Sequence, residues 1–264
     1  MKKGHRYAEH RGVSLSAIIL VGIGFAVVCW FAVEMFIGGR EANWNRSAAS
    51  GVSLVSSPRS EAPKPSSALQ NGAVPTADTW ALVLVNYDHK LPDSFLPDLK
   101  QDDGVEMDSR IVEPFEAMKA AAKTEGLSLY ASSAYRSNQL QGELFRQEVS
   151  QNSKLYPTAS QAEAVAAESV ARPGYSEHGT GLAIDLNGVQ DSFVQTKEYR
   201  WLLEHAQDYG FVLRYPEDKQ EITHIKFEPW HFRYVGIENA EKMKQENICL
   251  EEYLDSLEKT GTLH

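Results

Sequence analysis

Two short segments of the sequence carry histidines beside carboxylates. His178 and Asp185 lie in SEHGTGLAIDL, and Glu228 and His231 lie in EPWH. A catalytic zinc site typically takes three protein ligands, mostly histidine with a carboxylate, and leaves one position open for water. His178, Asp185 and His231 would supply two neutral imidazoles and one carboxylate, a set that favours zinc among divalent cations. These residue types therefore predict metal-assisted chemistry.

The first segment must bend if its two polar residues are to meet. Side chains an odd number of residues apart lie on opposite faces of a straight strand, so His178 and Asp185 cannot meet on one. Gly179 and Gly181 stand between them and permit a bend. In GLAIDL, strand alternation puts Ala183 on the same face as Asp185, which leaves space beside the carboxylate.

The second segment combines a proline with a glutamate three residues before a histidine. Pro229 interrupts a sheet ladder, so a bulge there could point both Glu228 and His231 into one cleft. A glutamate beside the metal, but not bound to it, is the expected general base of metal-assisted hydrolysis. His224 is an alternative ligand, although it lies in an ordinary alternating run. Each pair alone is more often structural, so the prediction depends on their combination.

The elements that must position these residues mix strands and helices without a regular βαβ order. This pattern predicts an α+β fold, with a mainly antiparallel sheet flanked by helices. Ser160 is the expected cap of one of the helices. Strands are predicted in WALVLVNYDH, LSLYASSAYRS, GLAIDL, FVLRYP and HIKFEPWHFRYV, and helices over residues 109–126, 138–151, 159–171, 196–210 and 238–259.

The N-terminal segment has the pattern of a membrane anchor. Residues 13–33 contain no charged side chain. A helix of this length is long enough to cross the hydrocarbon core of a bilayer. Four Lys or Arg residues and one Glu precede them, so we expect a cytoplasmic basic tail (1–12) and a transmembrane anchor (13–37). A cleaved signal peptide is the competing interpretation, but its apolar region is usually only about 7–15 residues long.

Beyond the anchor, composition predicts a tether and one domain. Residues 38–78 are rich in Ser, Pro and Ala and predict a flexible linker, followed by a folded domain over 79–264. The chain has 264 residues and a net charge of -10; residues 1–37 hold four basic and two acidic side chains, so the remainder carries -12. Such an acidic domain argues against nucleic acid as a partner. Cys29 and Cys249 lie in different regions, so no disulfide is expected.

Three segments together resemble a known family. SSAYRSNQLQGELF, ARPGYSEHGTGLAIDL and EPWHFRYVG are similar to the signature blocks of the VanY-type D-alanyl-D-alanine carboxypeptidases, zinc peptidases of the M15 family. The resemblance covers roughly residues 80–255 and implies a hedgehog/DD-peptidase-like fold. It assigns the zinc ligands to His178, Asp185 and His231.

The resemblance also implies roles for other side chains. Glu228 matches the catalytic glutamate, and Arg136 matches an arginine that steadies the scissile carbonyl as charge builds on it. The positions that line the family's substrate cleft are Ser133, Gln139 and Ser176.

The activity implied is zinc-dependent removal of the C-terminal D-Ala from peptidoglycan stem pentapeptides. Three alternatives remain open: an L,D-carboxypeptidase acting on tetrapeptide stems, an endopeptidase, and a non-catalytic zinc-containing module that binds the cell wall. In each case the anchor would tie the chain to the cytoplasmic membrane, with the N-terminus in the cytoplasm and the domain outside. The sequence indicates no particular oligomeric state.

Overall fold

The computed structural model describes residues 79–102 and 104–261. The predicted basic tail, membrane anchor and linker, residues 1–78, lie outside the described residues. Within the described part of the chain, no helix combines the length and the apolar character that crossing a membrane requires.

Six short strands of the described residues form two antiparallel sheets. A two-stranded sheet pairs β1 (Leu99–Asp102) with β2 (Val105–Asp108). A four-stranded sheet has the order β3-β4-β6-β5, and each pair of neighbours is antiparallel. Its strands are β3 (Ala131–Ser133), β4 (Ala183–Leu186), β5 (Phe211–Leu213) and β6 (His231–Tyr234). The predicted α+β class with an antiparallel sheet is confirmed.

Seven α-helices of the described residues accompany the sheets. They are α1 (Ser109–Thr124), α2 (Asn138–Asn152), α3 (Ala159–Ala167), α4 (Lys197–His205), α5 (Gln220–Thr223), α6 (Ile237–Glu246) and α7 (Leu250–Lys259).

Helix α1 follows its sequence pattern closely. Its apolar residues recur every three or four positions, and they are buried in the structure. Asp108 accepts a hydrogen bond from the Arg110 backbone N–H and caps the first turn. Pro114 lies inside the helix without ending it. The buried apolar residues are Ile111, Val112, Phe115, Met118 and Ala122.

Two helix predictions need correction. The cap of α3 is Thr158, whose hydroxyl accepts from the Gln161 backbone N–H, and not Ser160. The single predicted helix over 238–259 is two helices, because Asn247 adopts a left-handed conformation with φ 52° after α6. Such a residue satisfies the last carbonyls of a helix and redirects the chain.

The predicted strand in WALVLVNYDH is wrong. Thr79–Leu82 form a 3₁₀ turn, and the chain continues without a sheet partner. The carbonyls of Ala81 and Val83 instead accept hydrogen bonds from the Arg233 guanidinium at 2.7 and 2.9 Å. A buried side chain thus satisfies backbone groups that a neighbouring strand would otherwise pair.

Strand β4 lies between β3 and β6 in the four-stranded sheet and carries Asp185, one of the predicted ligands. Leu182, Ile184 and Leu186 are fully buried, as expected for the core face. Ala183 and Asp185 lie on the opposite face and are buried as well. That second face, between β3 and β6, carries the candidate site.

Candidate metal centre

Sheet register brings Asp185 and His231 together. β4 and β6 run antiparallel with these two residues directly opposite each other, so their side chains share one face. Nδ1 of His231 lies 3.2 Å from Oδ1 of Asp185, in a contact that is not aligned as a hydrogen bond. The predicted strand over 224–235 is shorter than expected, because Pro229 falls in a turn and β6 begins at His231.

A tight turn brings His178 to the same place. His178 lies in a 3₁₀ turn, Glu177–Thr180, which ends at Gly181 with φ 70°. A side chain at Gly181 would approach the backbone nitrogen of Asp108 to 2.9 Å, so only glycine fits. The predicted bend is therefore present, and Nε2 of His178 lies 3.4 Å from Oδ2 of Asp185.

A hydrogen bond fixes the proton on His178. Its Nδ1 lies 2.6 Å from the Ala134 carbonyl oxygen, which can only accept, so Nδ1 carries the hydrogen. The lone pair of Nε2 is then directed toward Asp185. A backbone carbonyl in this role commonly holds a metal-binding histidine in one tautomer.

These three residues fit a small cation. One ligand atom from each of His178, Asp185 and His231 can be chosen so that all lie within 4.8 Å of one another, and all three side chains are buried. Oδ1 of Asp185 has no hydrogen-bond partner among the described residues. A buried carboxylate oxygen without a partner is costly, and a bound cation would remove that cost. Two imidazoles and a carboxylate are the donor types that zinc takes.

Burial and neighbouring charges shift the pKa values of the three predicted ligands in different directions. Burial disfavours the imidazolium of His231, but the carboxylates of Asp185 and Glu177 outweigh burial and raise its pKa to about 9. Burial lowers the pKa of His178, which is therefore neutral. Burial opposes ionisation of Asp185, yet the two histidines beside the carboxylate outweigh burial and hold its pKa well below the ordinary value. A cation bound here must displace the proton from His231.

Glu228 lies beside the three ligands. Its Oε2 is 3.5 Å from Nδ1 of His231, and only 9 % of the residue is exposed. Its backbone N–H donates to the Tyr215 carbonyl at 3.2 Å, which holds the turn before β6 in place. Burial, with the nearby Asp185 carboxylate, raises the pKa of Glu228 to about 8. A carboxylate with such a pKa can both accept and return a proton near neutral pH.

Arg136 reaches the site from the end of β3. Its backbone N–H donates to the His178 carbonyl at 3.1 Å, and Nη2 lies 3.8 Å from Oδ2 of Asp185. Nη1 donates to Oε1 of Gln141 at 2.8 Å, and that buried amide donates in turn to the Ala171 carbonyl at 2.6 Å. Sequence reasoning did not select Gln141. The only sequence signal for Gln141 was its position one helical turn inside α2, on the side that faces Arg136.

The three residues predicted to bind substrate lie in different settings. Ser133 is half-buried on β3, directly opposite Asp185, and Ser176 is half-buried just before the turn that carries His178. Gln139 is exposed on the first turn of α2, and its amide donates to Glu143 at 3.3 Å. Two of the three thus lie beside ligand-bearing elements. Their binding roles stay predictions.

The alternative ligand His224 lies outside the metal cluster. It is exposed at the end of α5, adopts φ 58°, and its ring lies tilted against Tyr87 with centroids 5.3 Å apart. A different residue was overlooked. Glu177, next to the ligand His178, is fully buried and pairs with Arg214 and Arg233. Its adjacency to His178 was its only sequence signal.

Comparisons with known proteins point to one family. The family model described as "VanY: D-alanyl-D-alanine carboxypeptidase" matches residues 104–237. A D-alanyl-D-alanine carboxypeptidase of Enterococcus faecalis is 40 % identical over 178 residues. That match covers 67 % of this chain and 66 % of the relative, so this chain spans about two thirds of that relative's length.

Two solved structures are also similar. VanYB in complex with D-alanine-D-alanine shares 41 % identity with a TM-score of 0.62, covering 67 % of this chain and 98 % of that chain. A variant of the vancomycin-resistance D,D-pentapeptidase VanY, from a VanB-type cassette and in complex with Zn(II), shares 42 % identity with a TM-score of 0.60. It covers 66 % of this chain and 99 % of that chain.

Proposed function

Because the chain belongs to the VanY family of D-alanyl-D-alanine carboxypeptidases, we propose that it is a zinc-dependent D,D-carboxypeptidase that removes the C-terminal D-Ala from peptidoglycan stem pentapeptides. The observation that carries the proposal is the buried group of His178, Asp185 and His231, with Glu228 beside it. Relatives of known structure hold Zn(II) or D-Ala-D-Ala, and the donor set here suits the same ion.

The side chains divide the chemistry between them. His178, Asp185 and His231 would hold zinc, which when bound lowers the pKa of a water molecule and polarises the scissile carbonyl. Glu228 accepts the proton of the attacking water and returns it to the leaving amine of the terminal residue. The Arg136 guanidinium stabilises the negative oxygen that develops on the carbonyl carbon.

Substrate contacts are proposed for Ser133 and Ser176, which flank the ligands in the structure, and for Gln139. Ser133 and Ser176 offer hydroxyls that can donate to or accept from a peptide backbone. Gln139 would have to leave Glu143 to reach a substrate.

The cellular arrangement is a further part of the proposal and comes from sequence patterns. Residues 13–37 would anchor the chain in the cytoplasmic membrane with the basic tail, 1–12, inside. The linker, 38–78, would give the peptidase domain, 79–264, reach to wall peptides on the outer side.

The decisive experiment follows the products from two substrates. The purified full-length chain is incubated with pentapeptide and tetrapeptide stems, with and without a chelator, and the products are read by mass spectrometry. We expect chelator-sensitive loss of one alanine from the pentapeptide alone. Loss from the tetrapeptide would indicate an L,D-carboxypeptidase, and cleavage at an internal bond an endopeptidase. If zinc is bound and neither peptide is cut, the non-catalytic module is the better interpretation.

Glu228→Gln supplies the matched test of mechanism. The amide keeps the size of the side chain but cannot accept a proton, so kcat should fall about 10²–10⁴-fold while zinc stays bound. Steady-state kinetics with the pentapeptide, together with metal analysis of the same sample, measures both quantities. Full hydrolytic activity in this variant would exclude Glu228 as the base.

A further inference from the structure

A second group of buried charges adjoins the metal centre. It consists of Glu177, Arg214, Arg233 and Glu251, here called the Glu177 cluster. The side chains of Glu177, Arg214 and Arg233 are completely buried, and that of Glu251 is 13 % exposed. Two guanidinium groups face two carboxylates, so the cluster has no net charge.

The two oxygens of Glu177 have different surroundings. Oε1 accepts hydrogen bonds from Nε of Arg214 at 2.8 Å and from Nη1 of Arg233 at 2.9 Å. Oε2 has no hydrogen-bond partner among the described residues, and neither has Nε2 of His231. These two buried atoms lie 3.6 Å apart. A small rotation of either side chain would join them in a hydrogen bond, which removes the cost of leaving both unpaired.

That bond would decide how His231 meets a cation. An ionised carboxylate only accepts, so Nε2 of His231 must carry the hydrogen and Nδ1 must present its lone pair. Nδ1 is the ring nitrogen that faces Asp185 and Glu228, at 3.2 and 3.5 Å. Glu177 thus favours the one tautomer of His231 that can bind a metal on the side of the other ligands.

The far end of the cluster reaches the C-terminal helix. Arg214 donates to both oxygens of Glu251, at 2.9 and 2.6 Å, and Glu251 lies in the first turn of α7. Asn86 also donates to Glu251 at 3.0 Å. A continuous series of hydrogen bonds therefore joins α7, through Arg214, to Glu177. Helix α7 lies after residue 237, where the match to the family model ends.

We propose that Glu177 is a positioning residue that orients His231 for zinc, and that α7 holds Glu177 in place through Glu251 and Arg214. The inference rests on the metal site proposed above. It assigns to α7 a contribution to metal binding, although α7 supplies no ligand. A purely structural ion pair would support folding but would leave the affinity and the coordination geometry of the metal unchanged.

The test measures metal binding without substrate. Dissociation constants for Zn²⁺ are obtained by competition with a chromogenic chelator, and the visible absorption of the Co²⁺-substituted full-length chain reports ligand geometry. In Glu177→Gln, the amide can donate to Nε2 of His231 and so favours the wrong tautomer. We expect Zn²⁺ affinity to fall about 10–100-fold, as for other partners of metal-binding histidines, with an altered Co²⁺ spectrum.

Glu148→Gln is the matched control for the loss of a buried carboxylate. Glu148 is buried on α2 and accepts a hydrogen bond from Asn152, away from the ligands. Its variant should keep the Zn²⁺ affinity and the Co²⁺ spectrum of the unmodified chain. If Glu177→Gln behaves as this control does, the inference is wrong.

A second pair of variants keeps the inference testable if Glu177→Gln does not fold. Glu251→Gln should lower Zn²⁺ affinity about threefold to tenfold, because it acts on His231 only through Arg214 and Glu177. Glu252→Gln alters the next residue of α7, which pairs with Lys219, and should leave the affinity unchanged. Equal affinities for these two variants would overturn the role of α7. Tight zinc binding without peptide cleavage would refute the proposed function but leave this inference standing.

Discussion

Two groups of buried polar side chains adjoin at β6, and their charges are satisfied in different ways. In the Glu177 cluster, every guanidinium lies 2.6–2.9 Å from a carboxylate oxygen. In the metal centre, Arg136 is 3.8 Å from Asp185, and Oδ1 of Asp185 has no hydrogen-bond partner among the described residues. Every guanidinium of the cluster is thus paired with a carboxylate, and the unpaired Oε2 of Glu177 faces His231. The metal centre instead needs a cation to balance its ligand atoms.

This difference separates a structural role from a chemical one. Paired buried charges stabilise the fold only while both partners are present, since removal of one leaves an uncompensated charge. Unpaired ligand atoms can bind an ion, and their replacement should alter metal binding more than folding. Glu177 belongs to the cluster yet faces His231, so it is the residue at which the two roles meet.

The largest expected effect follows from removing a ligand charge. Asp185→Asn leaves two imidazoles and a neutral amide, so Zn²⁺ affinity should fall by more than the roughly 10–100-fold that loss of an outer partner costs. Chelator competition measures the affinity, and hydrolysis should be lost with the metal. Asp208→Asn is the control, because Asp208 is an exposed aspartate beside His205, at 3.4 Å. Retained zinc in Asp185→Asn would contradict the ligand assignment.

The next effect falls on stability. Arg214→Met removes three hydrogen bonds and leaves Glu177 and Glu251 with unbalanced charge, so the free energy of unfolding should fall by about 3–5 kcal/mol. Urea unfolding in the presence of a chelator measures this change without a contribution from zinc. Lys219→Met, which breaks a more exposed pair with Glu252, should cost at most about 1 kcal/mol. Similar losses for both variants would remove the distinction between the two pairs.

A third effect is the pH dependence of stability. In chelator, the free energy of unfolding should fall as pH rises from about 6.5 to about 9. Burial opposes charging of His231, but Asp185 and Glu177 outweigh it and hold the pKa at about 9, above the ordinary 6.5. The resulting stabilisation is complete below pH 6.5 and is lost as pH passes 9. Burial raises the pKa of Glu228 from the ordinary 4.5 to about 8, so its ionisation lowers the free energy of unfolding further as pH rises from about 4.5 to about 8.

Zinc should abolish this fall, because the cation replaces the proton on His231. Urea unfolding at several pH values, with chelator and with excess zinc, compares the two conditions directly. The same downward slope in both would show that the proton and the metal do not compete for this site.

The smallest expected effect concerns Arg136. Gln141→Met removes the hydrogen bond that holds the guanidinium, and kcat should fall about tenfold, which corresponds to one hydrogen bond to a charged group. Zn²⁺ affinity should not change, because Gln141 contacts no ligand. Gln147→Met, at an exposed position of the same helix, is the control. Equal kcat values in the two variants would mean that Gln141 does not position Arg136.

Much of the site could be predicted from the sequence because its residues are near one another along the chain or carry a local signal. His178 and Asp185 are linked by a short bend that Gly181 permits, and the period of α1 predicts its buried face. The strand predicted around Val83 failed for a non-local reason. Ala81, Leu82 and Val85 are buried there, but Arg233, far along the chain, pairs with the backbone of the segment.

The sequence by itself determined the ligand types, the glycine bend and the α+β class, since each depends on residues close together in the chain. Only the tertiary structure decided which ring nitrogen of His231 faces the other ligands, which glutamine holds Arg136, and that Glu177 adjoins His231. The two relations of His231 join residues that are distant in sequence and meet only when β4 and β6 pair. Gln141 is only five residues from Arg136, but their contact depends on how the chain after β3 meets α2. Hydrogen-bond partners act over about 3 Å, and composition or spacing along the chain does not encode such distances.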